Sequence, residues 1–151
     1  MKKLIIIFLL IVFSLSCKSD NFPINYQSFN EYLKSHYNKS LENGLYVIIS
    51  NYGCGNCAKS IIHQLNKKKG DNSKIKIILL GVTSRELNQM GKTLNTYTIF
   101  KGKFTDFYNI FKINEMYPFL IEVKGSQIIN ELSSNPENTN ESLSLIASCQ
   151  K

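Results

Sequence analysis

Leu45-Tyr46-Val47-Ile48-Ile49, then Cys54-Gly55-Asn56-Cys57 and a stretch opening at Ala58, decide how this 151-residue chain is read. Five apolar residues in a row, introduced by Asn43-Gly44, predict a buried strand. Ile61, Ile62 and Leu65 carry the following stretch at helical spacing until Gly70 stops it. The two thiols thus stand at a strand-to-helix junction. Residues three apart share a face in the first turn of a helix, so the sulfurs can close a disulfide there. The unsatisfied N–H groups and positive dipole end of the helix favour a thiolate on Cys54. Cys54 is the expected nucleophile of a redox pair, and Cys57 its resolving thiol.

Two plainer readings compete. A structural staple across four residues lowers the entropy of the unfolded chain by only roughly 2 kcal/mol before strain is subtracted. A Cys-x-x-Cys is also half of a zinc site. The other half would have to come from His36, His63 or Cys149, since no second Cys-x-x-Cys exists. Copper would suit two thiolates and a histidine, but His63 lies six residues after Cys57 and so off its helix face. The spacing favours redox chemistry, with no metal and no cofactor expected.

Met1-Lys2-Lys3, the apolar run Leu4 to Phe13 and Ser14-Leu15-Ser16-Cys17 together have the shape of a secretory signal. The apolar run is shorter than the about 20 residues a membrane-spanning helix needs. Leu15-Ser16-Cys17 resembles the end of a bacterial lipoprotein signal, although Ser14 stands where such signals usually carry Leu. The resemblance implies that residues 1–16 leave as a signal peptide and that Cys17 is lipidated. Residues 17–23 then form a tether, and residues 24–151 the domain. Several acyl chains hold a protein stably on a membrane. The expected place is the cell envelope, as a periplasm-facing lipoprotein of the inner or outer membrane, where disulfides persist.

A chain of this length has room for one domain with a proper core. With 43% hydrophobic and 19% charged residues, its composition is that of a globular protein rather than a disordered one. The net charge of +7 falls to +5 when Lys2 and Lys3 depart with the signal. Lys67-Lys68-Lys69 ends a predicted helix, where cations complement the dipole, so no nucleic-acid partner is expected.

The order of elements narrows the architecture. Ser28-Phe29-Asn30-Glu31 reads as a capping box opening a helix that turns Phe29, Tyr32, Leu33 and Tyr37 to one side. Ile75 to Leu80 predicts a second buried strand, joined to the first by a right-handed parallel crossover. A helix is expected from Ser84 toward Leu94, a short strand at Tyr97 to Phe100 and a helix over Phe104 to Ile113. Pro118 to Val123 and Ile128 to Leu132 flank Lys124-Gly125-Ser126-Gln127 as a hairpin. A last helix from about Asn140 presents Leu143, Ile146 and Ala147 on one stripe. The fold class is therefore α/β, with a central mixed sheet flanked by helices.

Strand, Cys-x-x-Cys, helix, strand and helix, then Tyr117-Pro118 entering a terminal hairpin and helix, resemble the thioredoxin fold. The helix and strand between Leu80 and Phe104 look like the insertion of TlpA-like, membrane-tethered thiol-disulfide oxidoreductases and of peroxiredoxins. Asp106 to Ile113, followed by Tyr117 to Ile121, resembles the helix, loop and proline-led strand that end such domains. The resemblance implies a cis bond before Pro118, set against the cysteine pair. It also implies a substrate-facing surface made by Tyr117, Pro118 and Tyr52, with the Tyr117 backbone pairing with an incoming peptide. The implied partners are disulfide-containing envelope proteins and a membrane or periplasmic thiol electron donor.

Four positions depart from the family's pattern. Gly53 stands where Trp is usual, and the chain has no Trp. The spacer Gly55-Asn56 lacks the customary proline and any histidine, which disfavours a strongly oxidising poise. Ile48 occupies the place of a buried proton-handling aspartate. No Thr-x-x-Cys precedes Cys54, which weighs against a peroxidase. The alternatives to an oxidoreductase are a copper-binding lipoprotein or a non-catalytic one that binds peptide. Lys59 reads as a surface lysine, and Cys149 as a half-buried helix residue rather than a third catalytic thiol.

Overall fold

Leu45 to Ile49 and Ile75 to Leu80 are buried on both sides, which is why they form the middle of a sheet with helices on each face. The computed structural model describes residues 24–51, 55–67, 72–113 and 117–150. The elements run α1 (Tyr26–Tyr37), β1 (Gly44–Ser50), α2 (Gly55–Lys67), β2 (Ile75–Leu80), α3 (Ser84–Gln89) and a 3-10 turn (Lys92–Thr96). They continue with β3 (Thr98–Gly102), α4 (Phe104–Phe111), β4 (Phe119–Lys124), β5 (Gln127–Ser133) and α5 (Thr139–Cys149). The sheet order is β3-β2-β1-β4-β5. β1, β2 and β3 are mutually parallel, whereas β4 runs antiparallel to both β1 and β5.

Alternation along the central strands sorts the core into two layers. Tyr46, Ile48, Ile78, Leu80 and Ile121 face α1 and α4, meeting Phe29, Tyr32, Phe107 and Phe111. Leu45, Val47, Ile49, Ile77 and Leu120 face α2 and α5, meeting Ile61, Leu65 and Ile146. Tyr97 ties the second layer together. Its hydroxyl donates to the Leu65 carbonyl (2.8 Å) and accepts from Gln150 Nε2 (2.8 Å), joining the end of α5 to α2.

The ends of the strands away from Cys57 are held by a polar bracket. Lys76 is only 6% exposed; its ammonium donates to the Asn43 carbonyl (2.9 Å) and pairs with Glu42 (3.3 Å). Tyr46 exchanges hydrogen bonds with the Glu42 backbone, so the loop before β1 is fixed to β1 itself.

Several expectations need correction. The first helix is capped by Asn25, whose side chain accepts from the Ser28 N–H (2.8 Å), not by a box beginning at Ser28. Asn ranks with Ser as a cap, and here the earlier residue takes the role. The helix expected from Ser84 to Leu94 breaks into α3 and the 3-10 turn at Gly91, whose φ of 109° no helix can use. Asn66 Nδ2 donates to the Met90 carbonyl (2.7 Å), and a Cβ on Gly91 would meet that amide at 2.9 Å. α4 stops at Phe111 because Lys112 turns left-handed (φ 56°), and Ile113 is buried without being helical. The tract Lys67-Lys68-Lys69 is described only at Lys67, the last residue of α2; Lys68 to Gly70 lie outside the described residues.

β5 carries one irregularity that sequence alternation conceals. Val123 pairs with Ile128 but Glu122 pairs with Asn130, leaving Ile129 as the extra residue of a β-bulge, 45% exposed. Beyond the bulge the faces exchange. Leu132 joins the α2 and α5 layer opposite Leu120, while Glu131 comes to lie opposite Ile121 on the α1 and α4 side.

Candidate active site

The parallel pair sets where chemistry can gather. β1 and β2 finish together at Ser50 and Leu80, and β3 finishes beside them at Gly102. β4 begins at Phe119, paired with Ile48, so Tyr117 and Pro118 arrive at this same end of the sheet. In open α/β sheets this carboxyl end, where neighbouring connections diverge, is the usual place for ligands. α2 starts here as well.

Cys57 lies in the first turn of α2 and is 5% exposed, on the stripe that continues through Ile61 and Leu65. Cys54 and Tyr52, together with Gly53, lie outside the described residues, as do Cys17 and the expected signal and tether. Pro118 is buried, and its carbonyl accepts from the Ser134 N–H (2.7 Å), fastening the start of β4 to the end of β5. Tyr117 is half-buried beside Ile48, Ile113 and Phe119, around a void of only 10 Å³ on the α1 and α4 side. The cis bond implied for Tyr117-Pro118 is not there: the described residues contain no cis peptide. An X-Pro bond prefers trans by about 0.5–1 kcal/mol unless its surroundings select otherwise. The fold therefore brings Cys57, Tyr117 and Pro118 to one end of the sheet.

A groove of about 510 Å³ adjoins the same helix end, between α2 and α3. Its apolar lining includes Ile62 and Met90, and its polar lining includes Lys59 and His63. Across from them, Glu86 is occupied by the cap of α3, accepting from the Thr83 N–H (2.7 Å) and Oγ1 (2.8 Å). These bonds hold its carboxyl below the usual range. This groove depends on where α3 packs, which no local spacing announces.

Neither a protein-family model, nor a curated protein, nor a solved structure matches this chain.

His36 sits on α1 and His63 on α2, on opposite faces of the sheet, so they cannot complete one metal site. Among the described residues no three of His, Cys, Asp and Glu converge closely enough to hold an ion. No helix among them is long and apolar enough to cross a membrane. Cys149 is half-buried, and burial pushes its thiol up, which leaves it a weak nucleophile at neutral pH. Ile48 is buried against the α1 and α4 layer.

Glu131 is the ionisable group the sequence did not single out. Both carboxylate oxygens are buried without a hydrogen-bond partner among the described residues, and burial raises the carboxyl to about 7. It stands level with Tyr46, across β4 and further down the sheet than Pro118, so it belongs to the fold rather than to the cysteine end. A carboxyl raised in the folded state binds protons that the unfolded chain releases. Stability from this group is therefore fully present below about pH 4.5 and declines as pH rises toward 7. Glu131→Gln keeps the shape of the protonated form. The variant should gain about 1–2 kcal/mol over the natural protein at pH 8, solvent screening of a half-buried site keeping the gain modest. The gain should vanish near pH 4.5, as read from urea midpoints at the two pH values.

Proposed function

We propose that this chain is a thiol-disulfide oxidoreductase of thioredoxin-like architecture, working from the envelope face of a membrane to which a lipidated Cys17 tethers it. The observation that carries the reading is the placement of Cys57. It is buried in the first turn of the helix that follows the central parallel strand, at the sheet end where Tyr117-Pro118 enters β4. The layering supports it, with α1 and α4 on one face, α2 and α5 on the other, and an antiparallel hairpin completing the sheet. The segment Ser84 to Gly102 adds β3 as the outer strand, in keeping with a TlpA-like insertion.

The chemistry divides between an attacking thiol, Cys54, and a shielded resolving thiol, Cys57. Cys54 thiolate attacks one sulfur of a substrate disulfide, forming a mixed disulfide and expelling the other sulfur as a thiolate that takes up a proton. Cys57 then loses its proton to solvent and attacks the Cys54 sulfur. The second substrate thiol leaves, and the Cys54–Cys57 disulfide carries away the two electrons' worth of oxidation. An external dithiol donor returns the pair to the reduced form. A buried resolving thiol suits this order, because it meets only a sulfur already bound at its own helix end.

The test is a Cys57→Ser variant. Cleavage of the mixed disulfide then fails, and envelope extracts should yield adducts on Cys54 that a reductant releases. The reading is overturned if nothing is trapped and the purified natural protein, supplied with a dithiol, reduces no model disulfide.

A further inference from the structure

The bulge at Ile129 turns Glu131 toward the α1 and α4 side of the sheet, opposite Ile121. Both carboxylate oxygens are buried there, and neither has a hydrogen-bond partner among the described residues. The start of α1 lies over them. That helix crosses the strands: its last residue, Tyr37, packs on Phe100 of β3 with ring centroids 5.0 Å apart, and Phe29 packs on Tyr46 of β1 at 5.2 Å. Neighbouring strands lie about 4.8 Å apart. The chain running back from Phe29 to Ile24, at ~1.5 Å or more per residue, therefore passes over β4 to β5. Ile24 is fully buried in this layer, and its N–H stands near enough to temper the carboxyl's rise without closing a hydrogen bond. No counter-charge faces Glu131 from the elements around it. Lys76 stands in the same cross-strand row, through Ile121 and Tyr46, but on β2, and its ammonium is engaged by Asn43 and Glu42. α1 brings the phenol of Tyr26 to this layer, and β1 that of Tyr46, which burial pushes up to about 12. β4 brings Ile121 and Val123, and α4 brings Phe107 and Phe111, none of which ionises. His36 and Asp106 lie toward the other end of α1, near Tyr37, and Glu122 lies on the opposite face with Cys149.

We propose that Glu131 is a proton-controlled latch on the start of α1. With the carboxyl protonated, Ile24 stays seated over β4 and β5. With it ionised, Ile24 and the first turn of α1 lift, water reaches the carboxylate, and the sheet stays folded. A buried carboxylate with neither partner nor counter-ion is costly, and water relieves that cost. Lifting the chain where it enters the domain uncovers far less apolar surface than parting the central strands, so the opening is local. Burial holds the carboxyl at about 7 in the closed latch, against 4.5 for a free one. The closed form thus keeps a proton that the open form gives up. Closure is firmest below about pH 4.5 and weakens as pH rises toward 7. The latch does not depend on redox chemistry at Cys57; with the tether proposed above, it makes the junction of tether and domain responsive to pH.

Amide hydrogen exchange of the full chain, resolved by NMR at pH 5.5 and pH 8, tests it. Rates are divided by those of an unfolded chain at the same pH, leaving protection factors. Two amides report on the latch: the Ser28 N–H donates to the Asn25 side chain (2.8 Å), and the Phe29 N–H to the Asn25 carbonyl (3.1 Å). Their protection should fall roughly tenfold between the two pH values, solvent screening at a half-buried site keeping the change below its full extent. It should not respond to urea below the unfolding transition, because a local opening exposes little surface. Val47 and Ile77, in the central strands, should be far better protected and should respond to urea. In Glu131→Gln the fall at Ser28 and Phe29 should vanish. Glu131→Leu, which also removes the ionisable group but leaves no amide to hydrogen-bond, should abolish it equally. The latch is overturned if the fall persists in both variants, or if the natural protein shows none. It is overturned as well if Ser28 and Phe29 match Val47 in protection and in urea response, since the chain then opens only by unfolding as a whole.

Discussion

Turnover of a model disulfide by the purified protein, with a dithiol as reductant, is expected to fall roughly a thousandfold or more in Cys54→Ala. The thiolate is the nucleophile of the exchange, and removing a nucleophile takes away the covalent route rather than weakening one contact. Cys57→Ala should behave differently. Its Cys54 still attacks, so when the dithiol is left out a single equivalent of leaving thiol should appear in a burst, after which the adduct persists until a reductant releases it. The two variants thus separate roles that a simple loss of activity would merge. Cys57 is buried on the same helix as Ile61 and Leu65, and Ala in its place removes only a small volume, so the burst is measured on folded protein. Equal single-turnover bursts from both variants would remove Cys54 from the nucleophile's role.

Much of this architecture is legible in sequence because the decisive elements obey local rules. Leu45 to Ile49 is a continuous apolar run and Ile75 to Leu80 is one interrupted only by Lys76, and such runs have few places to go other than the middle of a covered sheet. Gly125-Ser126 sits between two apolar stretches and makes the hairpin turn. What escaped depends on tertiary partners. Ser28 and Asn25 are equally good caps, and only the packing of Phe29, Tyr32 and Leu33 chooses between them. Gly91 ends α3 because Asn66, far back in the chain, takes the Met90 carbonyl. The bulge at Ile129 is set by pairing with β4, and it alone turns Glu131 toward the α1 and α4 layer. At the candidate site, Cys57 and Pro118 were readable as single residues. Their shared end of the sheet follows from the Ile48 to Phe119 register, which the sequence does not state. The groove that faces Lys59 and His63 likewise exists only once α3 has packed against α2.

Phe29→Ala is expected to produce the largest loss of stability of any change argued for this fold, about 3–5 kcal/mol. Phe29 is completely buried. Its ring meets Tyr46 edge-on at 5.2 Å and Phe111 at 6.0 Å, so it joins α1 to the central strand and to α4 at once. Truncation removes the transfer free energy of the ring and leaves a cavity between elements that cannot easily close upon it. In thermal unfolding the midpoint should fall by roughly 10 °C or more. Phe29→Leu, which refills most of the volume, should lose far less. The loss falls on the face of the sheet opposite α2. At a temperature where the variant is still folded, its rate of disulfide reduction per folded molecule should therefore match that of the natural protein. A fall in that rate beyond the unfolded fraction would mean that the α1 and α4 layer positions the cysteine helix through β1, rather than serving only to hold the sheet.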